Sequence, residues 1–157
     1  MNEFLPATTE SDILAVRQLF EQYAAALAID LSFQDFEREL TSLPGDYAPP
    51  GGALFVARVN GLPVGCIGLR PVSDSIGEIK RLYVVPSFRS HEVGRNLVTA
   101  AIVSARRIGY TELLLDTLAS MRSAIALYQS FGFERTEPYY ANPLPEALYF
   151  RASLIPK

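Results

Sequence analysis

Glu78-Ile79-Lys80-Arg81-Leu82-Tyr83-Val84-Val85-Pro86-Ser87-Phe88-Arg89-Ser90-His91-Glu92-Val93-Gly94-Arg95-Asn96-Leu97 is the stretch whose reading decides the fold. Leu82 to Val85 is rich in β-branched and aromatic residues and reads as the end of a strand. Pro86 lacks the N–H that a ladder needs and stops it. Arg89 to Gly94 is a short polar loop, and from Val93 to Ile108 the apolar residues recur at helical spacing. A strand, a basic loop and a helix start make an anion site, because the loop N–H groups and the helix dipole converge on one place. Arg89 and Arg95 flank it with guanidinium charge, which suits phosphate oxygens.

Working outward, Ile76 to Val84 reads as the third strand of a meander. Leu54 to Val59 and Val64 to Leu69 are the first two, joined at Asn60-Gly61, the favoured two-residue hairpin turn. Gly77 and the Lys80-Arg81 pair interrupt simple alternation, since Ile79 and Leu82 are three apart, and a β-bulge reconciles them. N-terminal to the meander, Phe4 to Ala7 is a short strand. Thr9 with Asp12 forms a capping-box variant that opens a helix through about residue 28. Ser32 with Asp35 repeats that pattern for a short helix carrying Phe33, Phe36 and Leu40. Leu43 to Gly52 holds three prolines and three glycines and is a loop. Its Tyr47 is either a substrate lid or a cover for the core edge.

On the far side, Gly109 suits the end of the central helix, with Arg106 and Arg107 favouring its C-terminal dipole. Leu113 to Leu115 is a continuously apolar strand core. Ser120 reads as the cap of a helix from Met121 to Phe131, which Gly132 ends. Phe133 to Thr136 and Leu148 to Leu154 are the last strands, joined by a Pro138-to-Pro145 loop. The order β, α, α, three strands, α, β, α, β, β is that of a mixed-sheet α/β domain.

The chain has 157 residues, 49% of them hydrophobic and 20% charged, enough for one domain, 1–157, with a sizeable core. A formal net charge of −3 argues against a nucleic-acid partner, whose phosphates call for a basic face. With one cysteine, Cys66, and one histidine, His91, neither an internal disulfide nor a zinc site is expected. Cys66 packs as a small apolar residue. No apolar run reaches bilayer length and no signal-peptide pattern opens the chain, so a cytoplasmic protein without a membrane partner is expected.

The Arg89-to-Gly94 loop resembles the acetyl-CoA-binding motif of the GNAT N-acetyltransferase superfamily, Arg/Gln-x-x-Gly-x-Gly/Ala. Arg89 and Gly94 fit its first and last positions, and Glu92 stands at the inner glycine. The Ala124-Ile125-Ala126-Leu127-Tyr128 … Gly132-Phe133 block resembles the one that closes such domains, at the right distance and in the right order. The resemblance covers nearly the whole chain. It implies a mixed, mostly antiparallel six- to seven-stranded sheet flanked by helices, with acetyl-CoA as acyl donor and no metal. It further implies N-acetylation of a primary amine of a small molecule by direct attack. Protein lysine or N-terminal acetylation is the enzyme alternative, and a degenerate binding or regulatory module, favoured by Glu92 and Met121, is the alternative from another class. A homodimer is compatible with this family.

Carried over residue by residue, the donor site comprises the backbone of Leu82 and Val84 for the pantetheine arm and Arg89, Ser90, His91, Glu92, Val93, Gly94 and Arg95 for the pyrophosphate. Tyr128 matches the tyrosine that protonates the departing thiolate, although Ile125, Tyr128 and Phe131 also recur at core spacing. Met121 stands seven residues before it, where the family often has asparagine. Glu78, on the strand expected to line the cleft, is the candidate general base, or else pairs with Lys80 or Arg81. Asp116 reads as an end-of-strand cap, with a base role as the poorer alternative. Tyr139, Tyr140 and Asn142 either shape a substrate pocket or cover one end of the sheet.

Overall fold

The computed structural model describes residues 2–27, 31, 35–89 and 92–156. Its elements are β1 (Asn2–Pro6), α1 (Glu10–Leu27), α2 (Phe36–Ser42), β2 (Ala53–Val59), β3 (Leu62–Pro71), β4 (Ile76–Val84), α3 (Val93–Ile108), β5 (Glu112–Leu118), α4 (Arg122–Ser130), β6 (Glu134–Thr136) and β7 (Ala147–Ser153). The seven strands form one sheet in the order β1-β2-β3-β4-β5-β7-β6. Among the described residues only β4 and β5 run parallel; every other pairing is antiparallel.

Local chemistry sets these elements. At the start of α1 the Asp12 N–H donates to Thr9 Oγ1 at 3.1 Å, while Asp12 Oδ2 accepts from the Thr8 and Thr9 N–H groups at 3.2 and 3.4 Å. These bonds satisfy donors that a helix start leaves orphaned. Asn60 and Gly61 both take positive φ, 52° and 84°, as a primed two-residue turn demands. Gly109 at φ 110° ends α3, its N–H donating to the Ala105 carbonyl.

Two caps differ from expectation. Asp35 precedes α2 at φ 57° without a side-chain capping bond, and its carboxylate pairs with Arg38. Ser32 and Phe33 lie outside the described residues. Ser120 does not cap α4, because Met121 holds the position before the first helical residue.

The sheet has two unlike faces. On one, α3 and α4 bury Leu97, Val98, Ala101, Tyr128 and Phe133 against Ile67, Ile79, Leu113 and Phe150. On the other, α1 and α2 bury Val16, Phe20, Phe36 and Leu40 against Leu54, Val56, Cys66 and Tyr83. Tyr47 belongs to this second layer at 2% exposure and donates its hydroxyl to Glu39 Oε2 at 3.0 Å. It covers the core edge and is no lid. A Cβ at Gly68 would come within 2.5 Å of its ring, so glycine is what lets that ring lie on the sheet.

Two irregularities open the sheet in the middle. Gly68 pairs with Lys80 and Cys66 with Tyr83, so Ile67 alone opposes Arg81 and Leu82. Arg81 takes φ 62° there, and this is the expected bulge on β4. The β4–β5 ladder covers Ile76 to Glu78 against Glu112 to Leu114. Beyond those residues β4 continues along β3 and β5 along β7, and the two parallel strands part company.

Candidate active site

Two connected hollows occupy the gap between β4 and β5. The wider is a groove of about 860 Å³, within the usual range for a ligand site. Its walls are Leu82 to Val84 of β4, Arg89, the first turn of α3 and the N-terminal half of α4. The narrower is a slot of about 30 Å³ between the end of α1, β4, β5 and the β6–β7 connection. Leu82, Leu118 and Met121 line both, so groove and slot meet where the strands separate.

The groove carries positive charge that solvent reaches. Arg89 folds back so that its Nε donates to the Val84 carbonyl at 2.9 Å, and its guanidinium lies over the Tyr83 ring. Arg95 stacks over Phe131 and pairs through Nε with Glu92 Oε2 at 3.2 Å. Those two side chains are 49% and 71% exposed. Glu92 therefore turns along the helix toward Arg95, from a backbone position at φ 61°. Gly94 faces Leu127 across the groove, where a Cβ would close to 3.3 Å of that side chain. Val93 is fully buried beneath the first turn of α3. Ser90 and His91 lie outside the described residues. Arg122 and Ser123, at the start of α4, also line the groove and were not singled out from sequence.

The slot carries buried charge, and that charge is paired. Lys80 Nζ lies 3.2 Å from Asp116 Oδ1, with side chains 3% and 9% exposed. Asp116 Oδ2 accepts from the Tyr140 hydroxyl and from Asn142 Nδ2. Burial works to raise the Asp116 carboxyl, but Lys80 and Tyr140 outweigh it and hold it below the usual carboxylate range. Burial also lowers the Lys80 ammonium, against the opposing charges of Asp116 and Glu78. Arg81 grips Glu39 through Nε and Nη2 at 2.9 and 3.0 Å. Burial opposes ionisation of Glu39, yet Arg81 wins and keeps it low.

The sequence expectations divide accordingly. Leu82, Val84, Arg89, Glu92, Gly94 and Arg95 gather along the groove. Tyr128 lies on the slot wall, edge-on to Phe133, where burial raises its hydroxyl well above the ordinary value. It therefore stays protonated at neutral pH. Glu78 is not among the residues lining the slot. Its carboxylate is bonded by Arg70 Nε at 2.9 Å, directly across the β3–β4 ladder, and by the Tyr139 hydroxyl at 2.6 Å. Its partner is thus Arg70 rather than Lys80 or Arg81. Asp116 is not an end-of-strand cap. It lies within β5 and lines the slot. The pairings Glu39–Arg81, Arg70–Glu78 and Lys80–Asp116 were missed. Tyr139, Tyr140 and Asn142 were the available signal, as polar aromatics in a loop that must lie over something.

Among the described residues no cluster of His, Cys, Asp and Glu could hold a metal ion, and no helix is long and apolar enough to cross a membrane. The groove fits an acyl-CoA donor: arginines for phosphates, a glycine at the narrow point, and an open strand edge leading to the slot.

The acetyltransferase (GNAT) family profile matches residues 14–133. An uncharacterized N-acetyltransferase of Schizosaccharomyces pombe is 38% identical over 145 residues, 91% of this chain and 89% of its own. An acetyltransferase of the GNAT family from Staphylococcus aureus Mu50 shares the fold, with a TM-score of 0.82 at 18% identity over 99% of this chain and 100% of its own. A GNAT family acetyltransferase from Elizabethkingia anophelis, solved with acetyl-CoA bound, aligns with a TM-score of 0.65 at 24% identity over 97% of each chain. The chain belongs to the GNAT acetyltransferase family and is an acetyl-CoA-dependent acetyltransferase.

Proposed function

We propose that the acceptor is a primary amine of a small molecule, acetylated by direct attack on the thioester. The observation that carries this is the junction at Leu82, Leu118 and Met121, where a wide cationic groove runs into a narrow slot. A donor lying in the groove brings its thioester to the junction, and an amine entering the slot meets it there. Oriented contact of this kind supplies much of the rate without a covalent enzyme intermediate. Cys66 does not offer one, since it is fully buried in the α1-side core and its thiol is pushed far up by burial.

Roles for the site residues follow. Arg89, Glu92, Val93, Gly94 and Arg95 form the phosphate end of the donor site, to which the family motif would add Ser90 and His91, with the Leu82 and Val84 backbone along the pantetheine arm. The nitrogen attacks the carbonyl carbon, the carbon–sulfur bond breaks, and the Tyr128 hydroxyl donates to the departing thiolate. As the carbon–nitrogen bond forms, the nitrogen's protons become acidic, and a carboxylate can then accept one. Asp116 is the carboxylate on the slot wall and is ionised at neutral pH. Glu78 is a second reading for this step, supported by the 2.6 Å bond that places it one hydroxyl behind Tyr139.

A calorimetric titration of acetyl-CoA, followed by a thiol-release screen of amines, tests the proposal. Micromolar binding, about 8 kcal/mol, with amine-dependent thiol release is the expected result. No binding at millimolar donor removes it. Asp116→Asn and Glu78→Gln separate the base readings. The true base variant loses rate most at neutral pH and recovers as the acceptor deprotonates, while the other variant shows a pH-independent change.

A further inference from the structure

We propose that Tyr23 is a further catalytic residue, whose hydroxyl donates a hydrogen bond to the thioester carbonyl oxygen and holds the negative charge that gathers there during transfer. This rests on the direct-attack reading above, which puts the thioester where groove and slot meet. Among the described residues, Tyr23, Leu27, Leu82, Leu118 and Met121 line both hollows. Of these, Tyr23 alone carries a side-chain O–H or N–H. Tyr128 lines the slot and is not among the groove residues. The side-chain donor at the junction therefore comes from α1.

Local packing fixes its place. Leu19 and Phe20, at 2% and 0% exposure, mark the face of α1 that is buried on the sheet. Tyr23 follows them by four and three residues and shares that face. Its ring meets Tyr83 of β4 edge-on, with centroids 6.4 Å apart. The hydroxyl feels Arg81 of β4 and Asp116 of β5, and in turn acts on Tyr128 of α4. It thus sits among groups from both strands that part beneath it.

Elementary chemistry says what this hydroxyl can do. The Arg81 guanidinium carbon lies 5.9 Å from the centre of the Tyr23 ring, and Arg81 hydrogen-bonds the hydroxyl. A guanidinium only donates, so the phenol oxygen is the acceptor in that bond and its own proton can serve another acceptor. Two bonds from Arg81 to Glu39, at 2.9 and 3.0 Å, keep the guanidinium in position. Burial raises the hydroxyl and Arg81 offsets only part of the rise, so the group stays protonated at neutral pH. A neutral donor already placed beside a carbonyl gains strength as charge develops on that oxygen, with no reorganisation at the moment of reaction.

The step balances. The amine nitrogen bonds the acetyl carbon while the carbonyl π pair moves onto oxygen, where the Tyr23 O–H holds it. The pair returns, the carbon–sulfur bond breaks, the thiolate takes a proton from Tyr128, and one nitrogen proton goes to the carboxylate. Tyr23 keeps its proton throughout.

The test is Tyr23→Phe, which removes one oxygen and keeps the ring against Tyr83. With an amine that the wild type acetylates, kcat should fall about a hundredfold, with the acceptor KM little changed and the pH profile unshifted. Donor binding gives a readout that a structural role would not move. The ratio of the CoA to the acetyl-CoA dissociation constant, by calorimetry, should drop several-fold in the variant, because only acetyl-CoA has the carbonyl. Infrared spectra of acetyl-CoA labelled at the carbonyl carbon, bound without acceptor, should show a stretch red-shifted from its value in water, with part of that shift lost in the variant. Equal weakening of CoA and acetyl-CoA, or a kcat within about threefold of wild type, overturns the inference. If Tyr23→Phe does not fold, the wild-type spectrum still decides: a stretch at its value in water means that no strong donor reaches the carbonyl, which also overturns it. A wild type that binds no acetyl-CoA, or releases no thiol with any amine, sinks the direct-attack reading instead.

Discussion

The groove and the slot share Leu82, Leu118 and Met121, yet they handle charge in opposite ways. In the groove, Arg95 and Glu92 form a neighbouring surface pair along one helix turn. Such pairs contribute little and exchange readily for water or a ligand. Around the slot, Lys80 pairs with Asp116 and Arg81 with Glu39, and none of the four side chains is more than 10% exposed. Those charges cannot be removed one at a time without leaving a buried partner behind. The groove thus presents charge to a ligand, whereas the slot uses charge to hold its own shape. Mutations in the groove should change affinity and its salt dependence, and those around the slot should change stability and selectivity.

The largest expected effect comes from breaking the slot's framework at Glu39. Its carboxylate holds Arg81, whose side chain is 1% exposed, and accepts from Tyr47. Glu39→Gln keeps the shape and removes the carboxylate charge that pairs with the guanidinium. A loss of about 3–5 kcal/mol in urea unfolding is expected; a loss below about 1 kcal/mol would show that Arg81 finds another partner. The acid side of the stability curve tests the same framework. Glu39 and Asp116 have lowered values in the folded state, so the unfolded chain binds more protons between the two values. Their contribution is complete above about pH 5 and declines as pH falls through the lowered values. Glu39→Gln should flatten that decline.

Next in size is the groove. Arg89→Ala should weaken acetyl-CoA binding by about 1.5–3 kcal/mol through loss of a charge-assisted bond, with little change in unfolding. Its donor affinity should also depend less on salt than that of the wild type. Unchanged affinity by calorimetry would place the donor elsewhere.

This contrast also explains what was legible in the sequence. The phosphate side of the groove is close together along the chain, on a strand end, a loop and a helix start. Period and turn chemistry therefore located the elements, the family resemblance supplied the residues' roles, and α3 spans the expected Val93–Ile108. The bulge was readable because Ile79 and Leu82 both had to reach the core. The slot is made by partners far apart: Lys80 and Asp116 are 36 residues apart, Arg81 and Glu39 42, and Glu78 and Tyr139 61. No local pattern encodes such pairings. Glu78 was read as facing the cleft because its strand lines it, but strand alternation does not show which neighbour across the ladder will take a carboxylate. Arg70 stands directly opposite and does so. Asp116 reads as a strand-end cap for a related reason. Its position near a strand's end suggested a cap, and only the folded β6–β7 connection brings Tyr140 and Asn142 onto it.

The smallest expected effect is at Glu92, where the groove departs from the family pattern. Two features of Glu92 bear on donor binding. Its backbone sits at φ 61°, a conformation costing a non-glycine residue roughly 1–2 kcal/mol. Its carboxylate occupies Arg95 Nε, one of the donors that a phosphate would use. Glu92→Gly relieves the first and frees the second. Folding stability should change little, because glycine also adds about 0.4–1 kcal/mol of unfolded-chain entropy in opposition. Affinity should change more clearly. Removing a carboxylate about 4 Å from a phosphate relieves about 1 kcal/mol even at the dielectric of water, so acetyl-CoA should bind several-fold tighter at low salt. Salt screens Arg89 and Arg95 as well as Glu92, so the informative quantity is the gap between wild type and variant, which should narrow as ionic strength rises. A variant that binds no tighter at low salt would mean that the Glu92–Arg95 pair already leaves the phosphate path clear. The glutamate would then be neutral toward the donor, and this departure from the family pattern would no longer separate the groove from the slot's closed set of charges.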